Sequence, residues 1–274
     1  MSVLAFSLAA IAATAAIAAP VGPNPPAIAL TPSGKWTVEG NDGRCILSHG
    51  FTASAETVTL AIEPLPLSPT IELSLKTTSR VGAYVRKPSS LDFDDGQSPL
   101  APDMESFDST DGIHRVHRVS IRRVDLDRAS THGTMTVTSA ETGELQLTLP
   151  QAPQALAALD RCVRTIIDNV GLAPSDAVKV AQPPKPPVML FRVAEGYARN
   201  AEQGDLEDEA VSRYLIDAKG VATACGVIHA AQSQFLNNGT CTFMAMKGFN
   251  FSPARDAAGK PVNGLFFERN RFRR

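Results

Sequence analysis

The segments "ETVTLAIEP" (residues 56–64) and "TIELSLKT" (residues 70–77) alternate apolar and polar side chains, with a short proline-rich turn between them. A period of two places one face of each segment in a core and the other in solvent, as in antiparallel β-strands. The same alternation extends outward from Lys35 to about Pro150. It runs through "KWTVEG", "RCILSHGF", "VGAYVRK", "HRVHRVSIRRVDL", "GTMTVTS" and "GELQLTL". The spacing predicts a β-rich domain. Within "IHRVHRVSIRRV", residues Ile113, Val116, Val119, Ile121 and Val124 do not keep one phase, so a bulge or a change of buried face is expected. "LDFDDGQSPLAPDMESFDSTDG" (residues 91–112) is acidic and almost free of β-branched residues, and it reads as a long exposed loop. Its "DFDDG" lacks the glutamate that would complete a calcium loop in order, so a solvated loop is the preferred reading.

After these segments, "QALAALDRCVRTIIDNVG" carries Leu156, Leu159, Val163, Ile166, Ile167 and Val170 at helical spacing, with Gly171 as terminator. One amphipathic helix therefore closes a first domain, residues 35–172. "APSDAVKVAQPPKPPV" (residues 173–188) is proline-rich and reads as a semi-rigid linker. From residue 189 to 274 the pattern changes. "AVSRYLI", the turn "DAKG" and "VATACGVI" form a hairpin by their turn chemistry. A short helix over "GTCTFMAMKG" and a last strand, "VNGLFFERNRF", follow. The fold class is α+β, with a β-rich N-terminal domain and a small C-terminal domain.

With 26 basic and 28 acidic residues, the net charge of -2 gives no field that would draw a nucleic acid or an anionic membrane. The uncharged opening "MSVLAFSLAAIAATAAIAA", with the A-x-A pattern at Ala16 and Ala18, reads as a signal peptide over residues 1–18. The expected location is periplasmic or secreted; an inner-membrane anchor over residues 1–19 is the alternative. Four cysteines in an exported chain imply two disulfides. Of the three pairings, chain order and the domain split favour Cys45 with Cys162 and Cys225 with Cys241. No CxxC spacing supports a metal site instead. His114 and His117 would fall on opposite faces of a strand and make a poor metal pair. The chain lacks H-E-x-x-H, G-x-S-x-G, P-loop and dinucleotide fingerprints, so the reading assigns no enzymatic activity, cofactor or metal.

The tail carries a further pattern in "FSPARDAAGKPV" (residues 251–262). Val211 to Ile216 form a strand, Asp217, Gly220 and Val221 a turn, and Phe251, Pro253, Ala254, Asp256, Gly259, Pro261 and Val262 a segment leading into the last strand. In this order, residues 195–272 resemble the C-terminal domain of TonB, the energy transducer of Gram-negative envelopes. The resemblance implies a two-strand hairpin, a helix and a last strand whose edge takes a partner peptide by strand addition. Carried over, the partner-binding residues are Leu265, Phe266, Phe267, Glu268 and Arg269. The partner would be an envelope protein or an outer-membrane receptor peptide, in TonB-dependent transport as one version; a second copy of the chain is another candidate. A Cys225–Cys241 disulfide would pin the helix to the sheet of this small domain. The alternative function is an exported enzyme or ligand-binding protein with its site in the N-terminal domain, built from the acidic loop and His114 or His117.

Overall fold

The computed structural model describes residues 27–41, 43–53, 56–78, 82–109, 111–169, 179–187, 208–231, 237, 241 and 250–272. The alternating segments form nine strands: β1 (Ile28–Asn41), β2 (Arg44–Ala53), β3 (Glu56–Pro64), β4 (Thr70–Thr77), β5 (Val85–Asp92), β6 (Asp103–Asp108), β7 (Arg115–Arg122), β8 (Thr134–Ser139) and β9 (Gly143–Thr148). They close into a barrel in the order β1-β2-β3-β4-β7-β6-β5-β8-β9. Neighbours are antiparallel except at the seam, where Ile28–Leu30 lie parallel to Leu145–Leu147. β1 starts before Lys35: Gly34, at φ 84°, sits in a register shift between Ser33 and Thr37 where a bulge tolerates it, and Pro32 just ahead pairs with Phe51.

Alternate residues of β2, β3, β4, β7, β8 and β9 point inward and fill the barrel. Leu47 and Phe51 of β2, Leu60 and Ile62 of β3, and Leu73 and Leu75 of β4 are buried against Met135, Val137, Leu145 and Leu147 of β8 and β9. Each such side chain stabilises the fold by about 1.5–3 kcal/mol relative to leaving it in water. Helix α2 (Ala152–Asn169) buries Leu156 and Leu159 on this core and lays Val163 and Ile166 beside it. Cys162 of α2 is disulfide-bonded to Cys45 of β2, Cα to Cα 6.0 Å. The Trp36 indole N–H donates to the Pro150 carbonyl at 2.6 Å, tying β1 to the entry of that helix.

The structure corrects the sequence reading in four places. "RRVDL" does not continue a strand: β7 ends at Arg122 and a second helix, α1 (Arg123–His132), follows. The Arg122 guanidinium binds Asp125 in the helix's first turn, and Gly133, at φ 72°, ends it by donating to the Ala129 carbonyl. β7 has no bulge. It keeps one phase, with Arg115, His117, Val119 and Ile121 buried, and two polar members of that set hid the alternation. The acidic segment is not a free loop, because β6 lies within it and Phe93, Met104 and Phe107 are buried. The proline-rich stretch is not a free linker at its end either. Gln182 bridges to Arg255 and Lys185 to Ser252.

Three strands form a second sheet: β10 (Asp208–Ile216), β11 (Ala222–His229) and, after the two-residue strands β12 (Ala254–Arg255) and β13 (Pro261–Val262), β14 (Gly264–Phe272). The order is β11-β10-β14, all antiparallel, with β14 at an edge. β12 and β13 pair across a turn in which the Asp256 carboxylate accepts from the backbone N–H of Ala258 and Lys260. The two tail motifs touch: Phe251 N–H donates to the Gly220 carbonyl at 2.8 Å. Gly220 has φ 85°, and a Cβ there would overlap the Phe251 carbonyl, so only glycine fits this turn. Cys225 of β11 is disulfide-bonded to Cys241, Cα to Cα 5.8 Å. The helix expected over 239–248 lies, Cys241 apart, outside the described residues, as does the expected signal peptide.

Candidate functional site: the cleft beside the last strand

The two faces of β14 serve different neighbours. On one face, Leu265 and Phe267 pack against Leu65 after β3 and Ile166 and Ile167 of α2. Next along this barrel-facing side, Arg269 reaches Glu63 at 2.5 Å, Glu72 at 3.3 Å and Glu209 at 3.4 Å. Arg271 reaches Glu72 at 2.5 Å and Glu209 at 2.6 Å. Arg44 of β2 adds a contact to Glu63 at 2.6 Å, and Arg118 of β7 adds one to Glu72 at 2.8 Å. Burial would raise the Glu209 carboxyl, but Arg271, Arg269 and Arg44 together hold it below its ordinary value. Buried ion arrays of this kind gain little net stability after desolvation; this one joins β10 and β14 to β2, β3 and β4 of the barrel.

On the opposite face, Phe266 packs with Tyr214 and Phe251, and the Tyr214 hydroxyl donates to Glu268 Oε2 at 3.0 Å. Burial pushes the Glu268 carboxyl up, and burial together with Glu268 pushes the Tyr214 phenol up. Tyr214 stands directly opposite both Phe266 and Cys225, so the Cys225–Cys241 bond covers this same face.

Of the five residues assigned by resemblance, Leu265, Phe267 and Glu268 are buried within the chain, and Arg269 is engaged by three carboxylates. Their side chains are already committed. The backbone edge of β14 away from β10 is paired with no described strand.

Arg269 and Arg271 of β14 line a cleft of about 680 Å³ together with Leu65, Glu72, Tyr84, Glu105 and Ser120. A second cleft of about 360 Å³ shares Glu105, Ser120 and Arg271 with it and continues to Arg86 and Asp103. The order of elements explains the location. β10 bonds over β2 through Glu209 and Arg44, and β14 bonds over β3 and β4 through Arg269, Glu63 and Glu72. On the barrel side the cleft is lined by Glu63 of β3, Glu72 of β4, Glu105 of β6 and Ser120 of β7. Sequence reading missed Glu63, Glu72, Glu105 and Tyr84. Glutamates at the outward positions of β3 and β4 resemble a solvated face, and the available signal was the opposite charge of Arg269 and Arg271 in "ERNRF".

The histidines do not converge. His114 binds Asp111, in the acidic segment, at 2.8 Å; Asp111 also binds Lys76 at 2.7 Å at the surface. Lys76, followed by backbone N–H groups and His114 itself, holds the Asp111 carboxyl well below its usual range. His117 is instead inside the barrel, between Ser106 Oγ at 2.9 Å and Thr77 Oγ1 at 3.2 Å. Neither histidine lines either cleft. Among the described residues no group of three metal-ligating side chains occurs, and no helix is long and apolar enough to cross a membrane. The two disulfides indicate an oxidising, extracytoplasmic location. Comparison with protein-family models, curated proteins and solved structures finds no match for the chain.

Proposed function

We propose that this protein is an exported periplasmic binding protein that takes an extended segment of a partner as a fourth strand on the open edge of β14. The observation that carries the reading is that β14, whose second edge pairs with no described strand, supplies Arg269 and Arg271 to the lining of the cleft of about 680 Å³. Backbone hydrogen bonds supply affinity in strand addition, and pockets for alternate side chains supply selectivity. The barrel wall offers such pockets to one face of an added strand. The TonB-like order of the tail motifs supports the same mode and points to an envelope partner, with an outer-membrane receptor peptide, in TonB-dependent transport, as the family's case.

The test is site-specific photo-crosslinking in cells. A crosslinking amino acid at Ser120, exposed in the cleft, is compared with one at Gln146, exposed on β9. An adduct formed from Ser120 and absent from Gln146, mapping to one extended segment of a partner, supports the reading. Adducts from Gln146 with none from Ser120 overturn it.

A further inference from the structure

The charge pattern of the cleft limits what an added strand can carry. The linings of the two adjoining clefts together contain four arginines, Arg86, Arg118, Arg269 and Arg271, and four carboxylates, Glu63, Glu72, Asp103 and Glu105. These charges are matched to one another. Arg269 and Arg271 are held as described above, Arg118 binds Glu72, and Arg86 binds Asp103 at 3.1 Å. Glu105 accepts from the Tyr84 hydroxyl and stands across strands from both Arg86 and Arg118. The inner members are desolvated, with the side chains of Arg269 and Glu72 each 9% exposed. A charged side chain entering beside them would lose its water and meet no spare counter-charge, which is a costly arrangement. An uncharged hydrogen-bonding side chain meets donors and acceptors of both kinds. At the other end of the cleft, Leu65 lies next to Leu265, and there the wall is apolar.

From this balance we infer that the partner strand is uncharged on its barrel-facing side: Ser, Thr, Asn or Gln beside Arg269 and Arg271, and an apolar residue beside Leu65. The inference rests on the strand-addition reading and specifies the partner's chemistry. It makes the barrel wall, and not β14 alone, the element that selects the ligand. Tyr84, Glu105 and Ser120, all outside the tail, become specificity residues.

The test uses the full chain and three fluorescent peptides of about ten residues. All three carry valine at alternate positions, and the intervening positions are threonine in one, lysine in the second and glutamate in the third. Binding is read by anisotropy. The threonine peptide should bind at least about tenfold more tightly than either charged peptide. Glu105→Gln leaves one arginine charge unmatched, and in that variant the glutamate peptide should recover about tenfold while the lysine peptide does not. A fourth peptide, the threonine sequence with alternate amides N-methylated, cannot add as a strand and separates the two levels of reasoning. If N-methylation abolishes binding but all three charge variants bind within twofold of one another, the charge inference is wrong and strand addition stands. If N-methylation has no effect, or no peptide binds, both are overturned.

Discussion

Acidification provides a quantitative probe of the barrel through His117. The ring is 2% exposed, held between Thr77 and Ser106, and burial followed by the nearby Arg115 charge lowers its pKa from 6.5 to about 4, with Glu141 opposing weakly. A depressed value means the folded state prefers the neutral ring. The associated stability is fully present above the unfolded value of 6.5 and is lost as pH falls through about 4. At about 1.4 kcal/mol per pH unit, the loss is about 2 kcal/mol between pH 7.5 and pH 5 and about 3 kcal/mol by pH 4. Urea unfolding of the wild type and of His117→Gln at several pH values isolates the effect, because the variant keeps a hydrogen-bonding group and cannot titrate. Glu268 acts with the opposite sign. Its raised folded value favours the fold below the unfolded pKa and that contribution is lost as pH rises, but it cancels between wild type and variant. Coincident pH profiles for the two proteins, or a His117 ring that titrates above pH 6 by NMR, refute the reasoning.

Two further predictions concern the C-terminal sheet. Gly220→Ala should destabilise it by more than about 1 kcal/mol, because the turn needs a positive φ and the added methyl meets the Phe251 carbonyl. Hydrogen exchange should speed up in β10 and β14 and stay unchanged in β8 and β9; uniform protection in both proteins would contradict the packing argument. Replacing Cys225 and Cys241 together by serine removes a crosslink with a sequence separation of 16 and should cost about 3 kcal/mol, measured by denaturant unfolding with the Cys45–Cys162 bond intact. A loss below about 1 kcal/mol would mean the crosslink does not restrain the unfolded chain as assumed.

Strands whose inward positions are all apolar were legible in the sequence. β3 and β4 show it, since Val58, Leu60 and Ile62, then Ile71, Leu73 and Leu75, repeat every second residue. The reading failed where polar groups occupy inward positions. Arg115 and His117 are buried because Arg115 donates to the carbonyls of Gly82 and Ala83 and to Asp108, and His117 finds two hydroxyls. Apart from Asp108, 7 positions before Arg115, those partners lie further off in sequence. α1 was hidden for a related reason: its start is set by the Arg122–Asp125 pair and its face by packing on the barrel, while its own residues alternate weakly. Barrel closure needs β1 and β9 to meet, and no local pattern encodes that. For the cleft, the tail residues pointed to β14, but the opposite wall belongs to strands more than 140 positions earlier and becomes visible only when the sheet is placed on the barrel.

The seam between β1 and β9 has a consequence for how the chain comes to be folded. Residues 28–30 find their partners only when 145–147 exist, and Cys45 must wait for Cys162, 117 positions later. A chain made from its N-terminus therefore has residues 28–30 and its first cysteine without these partners until more than half of its length has been synthesised. Contacts of such long sequence separation slow folding, because loop-closure entropy is lost before the contacts form. Closure of the barrel and its Cys45–Cys162 link therefore both wait on the second half of the chain.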